Sequence, residues 1–561
     1  MTPTAIHSPA TRVRSALPFA GLLAAGFLAS CGDPGIEGTL SQRTFSPPAG
    51  QSGLHYSTQN RATPPAGAMQ NNDRYPSYAL GTLQDVATNP VSTFSADVDT
   101  ASYAIARRHI AESRLPPAGS VRIEEMVNYF DYDYPEPAPG GEPVAVDAVL
   151  MPTPWKHNSL LLRINLQTRR IAYEKRPPAN LVFLIDRSSS MNSNDRIGLV
   201  RQTFRALVPE LREDDRVAIV AYASSAELIL PPTPGDRHDL IISAVDGLQA
   251  NGSTNGDSGL EIAYELARQN YRKGATNRVI LATDGDFNVG ATDAPTLLKT
   301  IRTERKNRIY LSVLGFGLGN LNDALMQRIS QAGNGVAAYI DSVAEARKVM
   351  AAEMTQNLYP VADDVKLQVE FNPARISAWR QIGYESRQMS QRDFDDPDAD
   401  AAEIGNGHAV TVLYELFPAE PVATTQPKLR YASLHSGEDH KGLEGELAFV
   451  KLRYRDPKDG TGREIVRAVN AADLSPTVKD APVSARFASA VAAFGGMLRG
   501  EFEPDSGFGF SQIMDLAEPA AIRDDSGNMG EFLQIVESAR TLYCRDAGWQ
   551  AQQGRKSDIC N

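Results

Sequence analysis

From Asn180 onward the chain alternates short apolar runs with amphipathic stretches. The runs at 181–185, 217–222, 279–283, 309–316 and 337–340 have the length and apolar content of buried strands. Between them, Ile197, Val200, Phe204, Leu207, Val208 and Leu211 recur at helical spacing. Ile241, Val245 and Leu248 share one face of a predicted helix over 240–248. Further helices are predicted over 260–272, 322–331 and 344–355. Strands alternating with helices predict a parallel sheet covered on both faces. The expectation is an α/β, doubly wound, mainly parallel sheet over residues 178–357, with no long-period repeat.

The flanks have another rhythm. Residues 102–113 read as a helix stopped by Pro116-Pro117, 121–130 as a second helix, and 144–167 as alternating strands. After Tyr359 the segments VKLQVEFNP, HAVTVLYELFP and LAFVKLRYRDP read as antiparallel strands. Residues 484–498 and 530–542 are helical in pattern. Both chain ends are therefore expected to build one α+β or β-sandwich-like assembly, with the α/β domain inserted between them. The resulting partition is 89–177, 178–357 and 358–561. Pro34, Pro47, Pro48, Pro64, Pro65 and Pro76 punctuate a polar stretch in which no hydrophobic period survives, so 31–88 is expected to be a flexible tether.

A chain of 561 residues is too long for one ordinary domain, and its net charge of −12 argues against a nucleic-acid partner. The one basic cluster, 302–308, reads as a solvated helix end. The acidic loop 393–400 could gather carboxylates for a metal, but a solvated loop is the simpler reading. The eight histidines are scattered and none has HExxH spacing. His408 is read as a turn residue, and His435 and His440 as exposed. GxSxG, P-loop and GxGxxG motifs are absent from the sequence, so hydrolase and nucleotide chemistry lack support. Trp155, Trp379 and Trp549 are read as core.

The amino terminus carries Arg12 and Arg14 ahead of an apolar run over 16–29, the layout of a signal peptide over 1–30. Leu28-Ala29-Ser30-Cys31 resembles the lipobox of bacterial lipoproteins. That resemblance implies lipidation of Cys31 and a membrane anchor. Gly32 at the second mature position favours the periplasmic side of the outer membrane. With Cys31 taken by lipid, Cys544 and Cys560 remain as an even pair and are expected to form a disulfide worth roughly 3 kcal/mol.

The chemistry concentrates at strand ends. The first strand runs into Asp186-Arg187-Ser188-Ser189-Ser190; alternation in an extended stretch would put Asp186, Ser188 and Ser190 on one side. The strand 279–283 runs into Asp284-Gly285, and Gly252-Ser253-Thr254-Asn255-Gly256 adds a hydroxyl in a glycine-flanked turn. Open α/β sheets bind ligands at this edge. Two carboxylates and three hydroxyls suit a hard cation, Mg²⁺ or else Mn²⁺ or Ca²⁺, and disfavour zinc. Asp286, Asn255 and Asp257 are either supporting or merely solvated.

DRSSS, NGSTNG and ATDGDFN together resemble the metal-ion-dependent adhesion site of von Willebrand factor type A domains. Asp186, Ser188, Ser190, Thr254 and Asp284 match that motif one by one. The resemblance implies a cation whose coordination is completed by an Asp or Glu of a protein partner; the equivalent of Asp284 often acts through water. The flanks SADVDTASYAIARRHI and ISAWRQIGYESRQ are similar to the associated domains of bacterial lipoproteins with a central A domain. The likeness spans roughly 90–545. The rival reading is a Mg²⁺-dependent phosphoryl-transfer enzyme or other hydrolase. Haloacid-dehalogenase-type phosphatases need a second Asp two residues after the first, where this chain has Ser188. The expectation is therefore a binding module rather than an enzyme.

Overall fold

A computed structural model of the protein describes residues 72–76, 81–96, 99–170, 173–254, 256–285, 294–352, 360–396, 401–419, 445–457, 459–500, 505, 507–545 and 559–560. Met1–Ala68 is a unit apart from Met69–Asn561, and every element below belongs to the second. Cys31, Asn255, Asp286, His435, His440 and Trp549 lie outside the described residues.

The amino-terminal flank contributes β1 (Gln84–Asp85), β2 (Val91–Ser95), α1 (Ala101–Ala111), α2 (Ile123–Val127), β3 (Val144–Pro152) and β4 (Leu160–Thr168). Helix α2 is shorter than the pattern over 121–130 implied. The Asn128 side-chain amide donates back to the Glu124 carbonyl (2.8 Å) and closes the turn. The expected tether over 31–88 extends too far. The Asp73 carboxylate accepts the N–H groups of Gly319 and Leu321, both at 2.8 Å, and β1 pairs with a later strand. A polar segment needs no hydrophobic period when its backbone and carboxylates find fixed partners.

The middle of the chain contributes β5 (Ala179–Asp186), α3 (Ile197–Leu207), β6 (Arg216–Tyr222), β7 (Ala226–Pro234), α4 (His238–Asp246), α5 (Gly256–Gln269), β8 (Thr276–Thr283), α6 (Ala294–Lys306), β9 (Ile309–Phe316), α7 (Asp323–Ala332), β10 (Ala337–Ile340) and α8 (Val343–Ala352). The strand order is β10-β9-β8-β5-β6-β7, parallel except for β7. Central strands β5 and β8 are buried at every position, as apolar runs in a doubly covered parallel sheet must be. Ile197, Val200 and Phe204 of α3, Ile241 and Val245 of α4, and Val349 of α8 pack on one face against Phe183 and Ile185. Leu260 of α5, Ile301 of α6 and Ile329 of α7 pack on the other, joined by Ala104 and Ile105 of α1 from the flank.

Two expectations change here. The helical spacing reaches Leu211 in the sequence, but Val208–Glu210 tighten into a 3₁₀ turn and Leu211 is extended, because Pro209 offers no N–H to continue the helix. Strand β7 escaped the pattern reading altogether. Its sequence AELILPPTP carries three prolines, which a sheet tolerates at its edge, where β7 lies.

The carboxy-terminal flank contributes β11 (Pro360–Phe371), β12 (Ile376–Ile382), α9 (Gln391–Asp395), β13 (Ala402–Gly405), β14 (Ala409–Pro418), β15 (Glu446–Arg455), β16 (Gly462–Asn470), α10 (Val483–Arg499), α11 (Phe510–Ala521) and α12 (Asn528–Arg545). One antiparallel sheet runs β1-β12-β14-β4-β3. Strand β14 pairs with β4 from Ala409 opposite Gln167 to Leu416 opposite Leu160, so the two chain ends share a sheet, as expected. The second sheet runs β13-β11-β15-β16, with β2 on β11. Leu162, Ile164, Val412 and Tyr414 of the first sheet meet Leu367, Val369, Val450 and Leu452 of the second. The alternate residues Leu161 and Leu413 face a layer of α10, α11, α12 and α2. Strand β4 is therefore covered on both sides.

Arg107 of α1 joins the flank to the α/β domain. Its guanidinium meets Asp341 (2.5 Å) and Glu345 (2.7 Å) of the α/β domain and Glu531 (2.9 Å) of α12. Cys544 and Cys560 are joined in a disulfide, and the Cys560 carbonyl accepts from Arg540 Nε (3.1 Å).

Candidate metal centre

Asp186 is the last residue of β5 and is fully buried. Its Oδ1 accepts the Ser188 N–H at 2.8 Å. Its Oδ2 accepts the Tyr222 hydroxyl (3.2 Å) and the Thr283 hydroxyl (3.3 Å). The chain does not continue extended beyond Asp186, as the alternation argument supposed. Ser189–Met191 form a 3₁₀ turn in which Met191 N–H donates to the Ser188 carbonyl (3.0 Å). The outcome for the hydroxyls is the same: Ser188 Oγ and Ser190 Oγ stand 2.9 Å apart. Ser189 is exposed, and its Oγ donates to the Gly252 carbonyl at 3.0 Å.

The loop bearing Thr254 is stitched to this turn through its backbone. Ser189 N–H donates to the Gly252 carbonyl (2.9 Å) and Asn251 N–H to the Arg187 carbonyl (2.7 Å). Gly252 has φ +92°, and a Cβ there would stand 2.7 Å from Ser224 Oγ, so glycine is required for the approach. Thr254 follows two residues later and is half-buried.

Asp284 follows β8 directly and is fully buried. The Thr283 hydroxyl that donates to Asp186 also accepts the Gly285 N–H (3.1 Å). Gly285 has φ +98°, and a Cβ would fall 2.3 Å from the Asn322 nitrogen. Arg196 Nη1 lies 3.4 Å from Asp284 Oδ2. Burial pushes the Asp186 carboxyl up to about 6, and the Asp284 charge adds to the rise; the hydrogen bonds from Ser188 and Tyr222 oppose it. A buried carboxylate whose ionisation is opposed by burial and by a second carboxylate lies in a pocket short of positive charge.

Asp186, Ser188 and Ser190 thus stand at the end of β5 and Asp284 at the end of β8, and the loop that bears Thr254 is stitched to the β5 end through its backbone. These five residues fit a hard cation by donor type: two carboxylates and three hydroxyls, all oxygen. Among the described residues no group of three or more His, Cys, Asp and Glu side chains could hold a metal ion. Tyr222, Thr283 and Arg196 were missed at the level of sequence. Tyr222 sits opposite Asp186 in the β5–β6 register, so aligning the two strand ends would have found it. Arg196 carries no pattern signal.

Other candidates disperse. Asp393 is engaged with Ser390 in the cap of α9 and Asp395 with Arg453, so the described part of the acidic loop does not gather carboxylates. His408 lies in a turn; its N–H donates to the Gly405 carbonyl (3.4 Å). Trp155 and Trp379 are buried.

Comparison with known proteins bears on the whole chain. The family model for the von Willebrand factor type A domain matches residues 180–352. A model described as von Willebrand factor matches 69–163, and one described as uncharacterized protein YfbK, C-terminal, matches 356–542. The uncharacterized protein YfbK of Escherichia coli strain K12 is 41% identical over 475 residues, spanning 83% of this chain and 81% of that one. The chain belongs to the YfbK family. Its α/β domain is a von Willebrand factor type A domain, placed between the two matched flanking regions. The human inter-alpha-trypsin inhibitor heavy chain H4 is 29% identical over 171 residues, 29% of this chain and 18% of its own length. A solved structure of a von Willebrand factor type A protein from Catenulispora acidiphila is 15% identical, covers 71% of this chain and 89% of its own, and has a TM-score of 0.40.

Proposed function

We propose that this YfbK-family protein is a lipid-anchored envelope protein that binds protein partners through a divalent cation, and that it is not an enzyme. Asp186 and Asp284 would supply the charge for the cation, and Ser188, Ser190 and Thr254 neutral oxygens. When bound, a divalent ion supplies a positive centre with a coordination position left for an anionic oxygen. The neutral hydroxyls leave that centre electrophilic, so an Asp or Glu of a partner is the ligand of choice. The observation that carries the reading is the burial of two carboxylates at adjacent strand ends beside paired serine hydroxyls. Type A domains serve generally in protein–protein interaction, which supports the same reading. Ser188, where a phosphatase would need a second Asp, supports a non-catalytic role.

The anchor belongs to the same proposal: Cys31 carries lipid and holds the body at the periplasmic face of the outer membrane. Replacing Cys31 with Ser would then shift the protein from the membrane to the soluble fraction. For the site, a pull-down from envelope extract is done with Mg²⁺, with chelator, and with Asp186→Ala. Partners kept only by the wild type with Mg²⁺ support the reading. Partners kept in all three contradict it, as would a phosphatase activity abolished by Asp186→Asn.

A further inference from the structure

Arg196 stands just before α3, and its guanidinium is fixed at three points around the candidate centre. Nη1 donates to the Ser190 carbonyl, and Nη2 to the Leu318 carbonyl at 2.9 Å. Nη1 also lies 3.4 Å from Oδ2 of the buried Asp284, while the arginine side chain keeps 18% exposure. The stem rests against Gly317, where φ is +72° and a Cβ would strike Arg196 Nε at 2.3 Å. The site is therefore shaped around this side chain. The neighbouring Arg187 is different: its guanidinium pairs outward with Glu227 at 3.0 Å.

We propose that Arg196 is a fixed counter-charge of the centre, which loosens its hold on the cation and, with the cation bound, makes it a receptor for a carboxylate. This rests on the metal reading above. Two ionised carboxylates and one guanidinium leave the site with a single net negative charge. A divalent cation reverses that to a single positive charge. Without the guanidinium the loaded site would be neutral, and its pull on an anion would rest on the open coordination position alone. The same charge repels the cation across the width of Asp284, so metal affinity and anion affinity are traded against each other. Because Arg196 is partly exposed and held beside the Ser190 backbone, its field reaches the side from which a ligand must come.

The test uses the protein, with Mn²⁺ as probe metal, read by the EPR signal of free Mn²⁺. Acetate is the probe anion, read by its effect on the water-proton relaxation of bound Mn²⁺. Arg196→Gln is expected to bind Mn²⁺ about tenfold more tightly and acetate about tenfold more weakly than wild type. Arg196→Lys, which keeps the charge, should stay close to wild type in both. Should Arg196→Gln not fold, Arg196→Met keeps the stem against Gly317 and carries the same expectation. A merely structural arginine would weaken metal binding when removed, so tighter binding is the decisive sign. If wild type binds Mn²⁺ and the uncharged variants bind it no more tightly, the inference is overturned and the metal reading stands. If neither wild type nor variants bind Mn²⁺, both fall.

Discussion

The Tyr222 hydroxyl donates to Asp186 Oδ2 across the β5–β6 register, at 3.2 Å, with both side chains fully buried. Together with Thr283 it holds one oxygen of the carboxylate in place, while the Ser188 N–H holds the other. Tyr222→Phe keeps the ring and removes the donor. We expect it to weaken cation binding by about five- to tenfold, in line with about 1–1.5 kcal/mol for the net contribution of one hydrogen bond. Titration of Mn²⁺ into wild type and variant checks this, and equal affinity would show that Tyr222 does not orient Asp186.

Gly285 gives a sharper structural test. A side chain there meets both a positive φ of 98° and the Asn322 nitrogen at 2.3 Å. Gly285→Ala is expected to destabilise the fold by at least about 2 kcal/mol. It should also shift Asp284, so metal binding and stability fall together. Urea unfolding followed by circular dichroism measures the first, and a midpoint equal to wild type would contradict the clash.

These residues show what was legible in the sequence. The runs at β5 and β8 announce themselves because a strand buried on both faces must be apolar throughout, and the aspartates that end them stand out by contrast. Likewise β4 and β14 alternate or fill with apolar residues, and their shared sheet followed from strand-rich flanks on both sides of the insertion. Strand β7 stayed hidden because edge strands accept proline, and α11 because Pro519 interrupts its pattern. Strand β16 carries Arg463, Glu464 and Arg467 at exposed positions that break the period, and β12 sets Ser377, Arg380 and Gln381 among its apolar residues. Arg196 and the docking of α1 were illegible for another reason: both depend on which loops the fold brings together, and local pattern does not encode that.

Arg107 tests the union of flank and A domain. Its guanidinium serves Asp341 and Glu345 on one side and Glu531 on the other, and also donates to the Tyr129 hydroxyl (3.0 Å). Arg107→Met would leave the buried Asp341 and Glu345 carboxylates without this cation, which costs about 3–5 kcal/mol. Limited proteolysis should then cut between the A domain and α12 faster than in wild type. An unchanged cleavage pattern would mean the domains are held by apolar packing alone.

Glu403 supplies a pH dependence. Burial lifts its carboxyl to about 7, with the Asp363 charge adding to the rise; Asn334 donates to it at 2.8 Å. Below the ordinary glutamate range, folded and unfolded chains both hold the proton. Between that range and pH 7 the unfolded chain releases it while the folded chain keeps it, so stability falls as pH rises, and the loss is complete above about 7. Glu403→Gln should remove the loss, raising stability at pH 8 by on the order of 1–2 kcal/mol and leaving pH 4 unchanged. Thermal melts at the two values check this, and equal gains at both would contradict it.

The central claim is that Asp186, Ser188, Ser190, Thr254 and Asp284 hold one divalent cation. Equilibrium dialysis of the protein against Mg²⁺, with metal counted by atomic emission, tests it most directly. The account predicts one ion per wild-type chain and none retained by a folded Asp186→Ala variant. Equal metal content in the two, or none in the wild type at millimolar Mg²⁺, would contradict it.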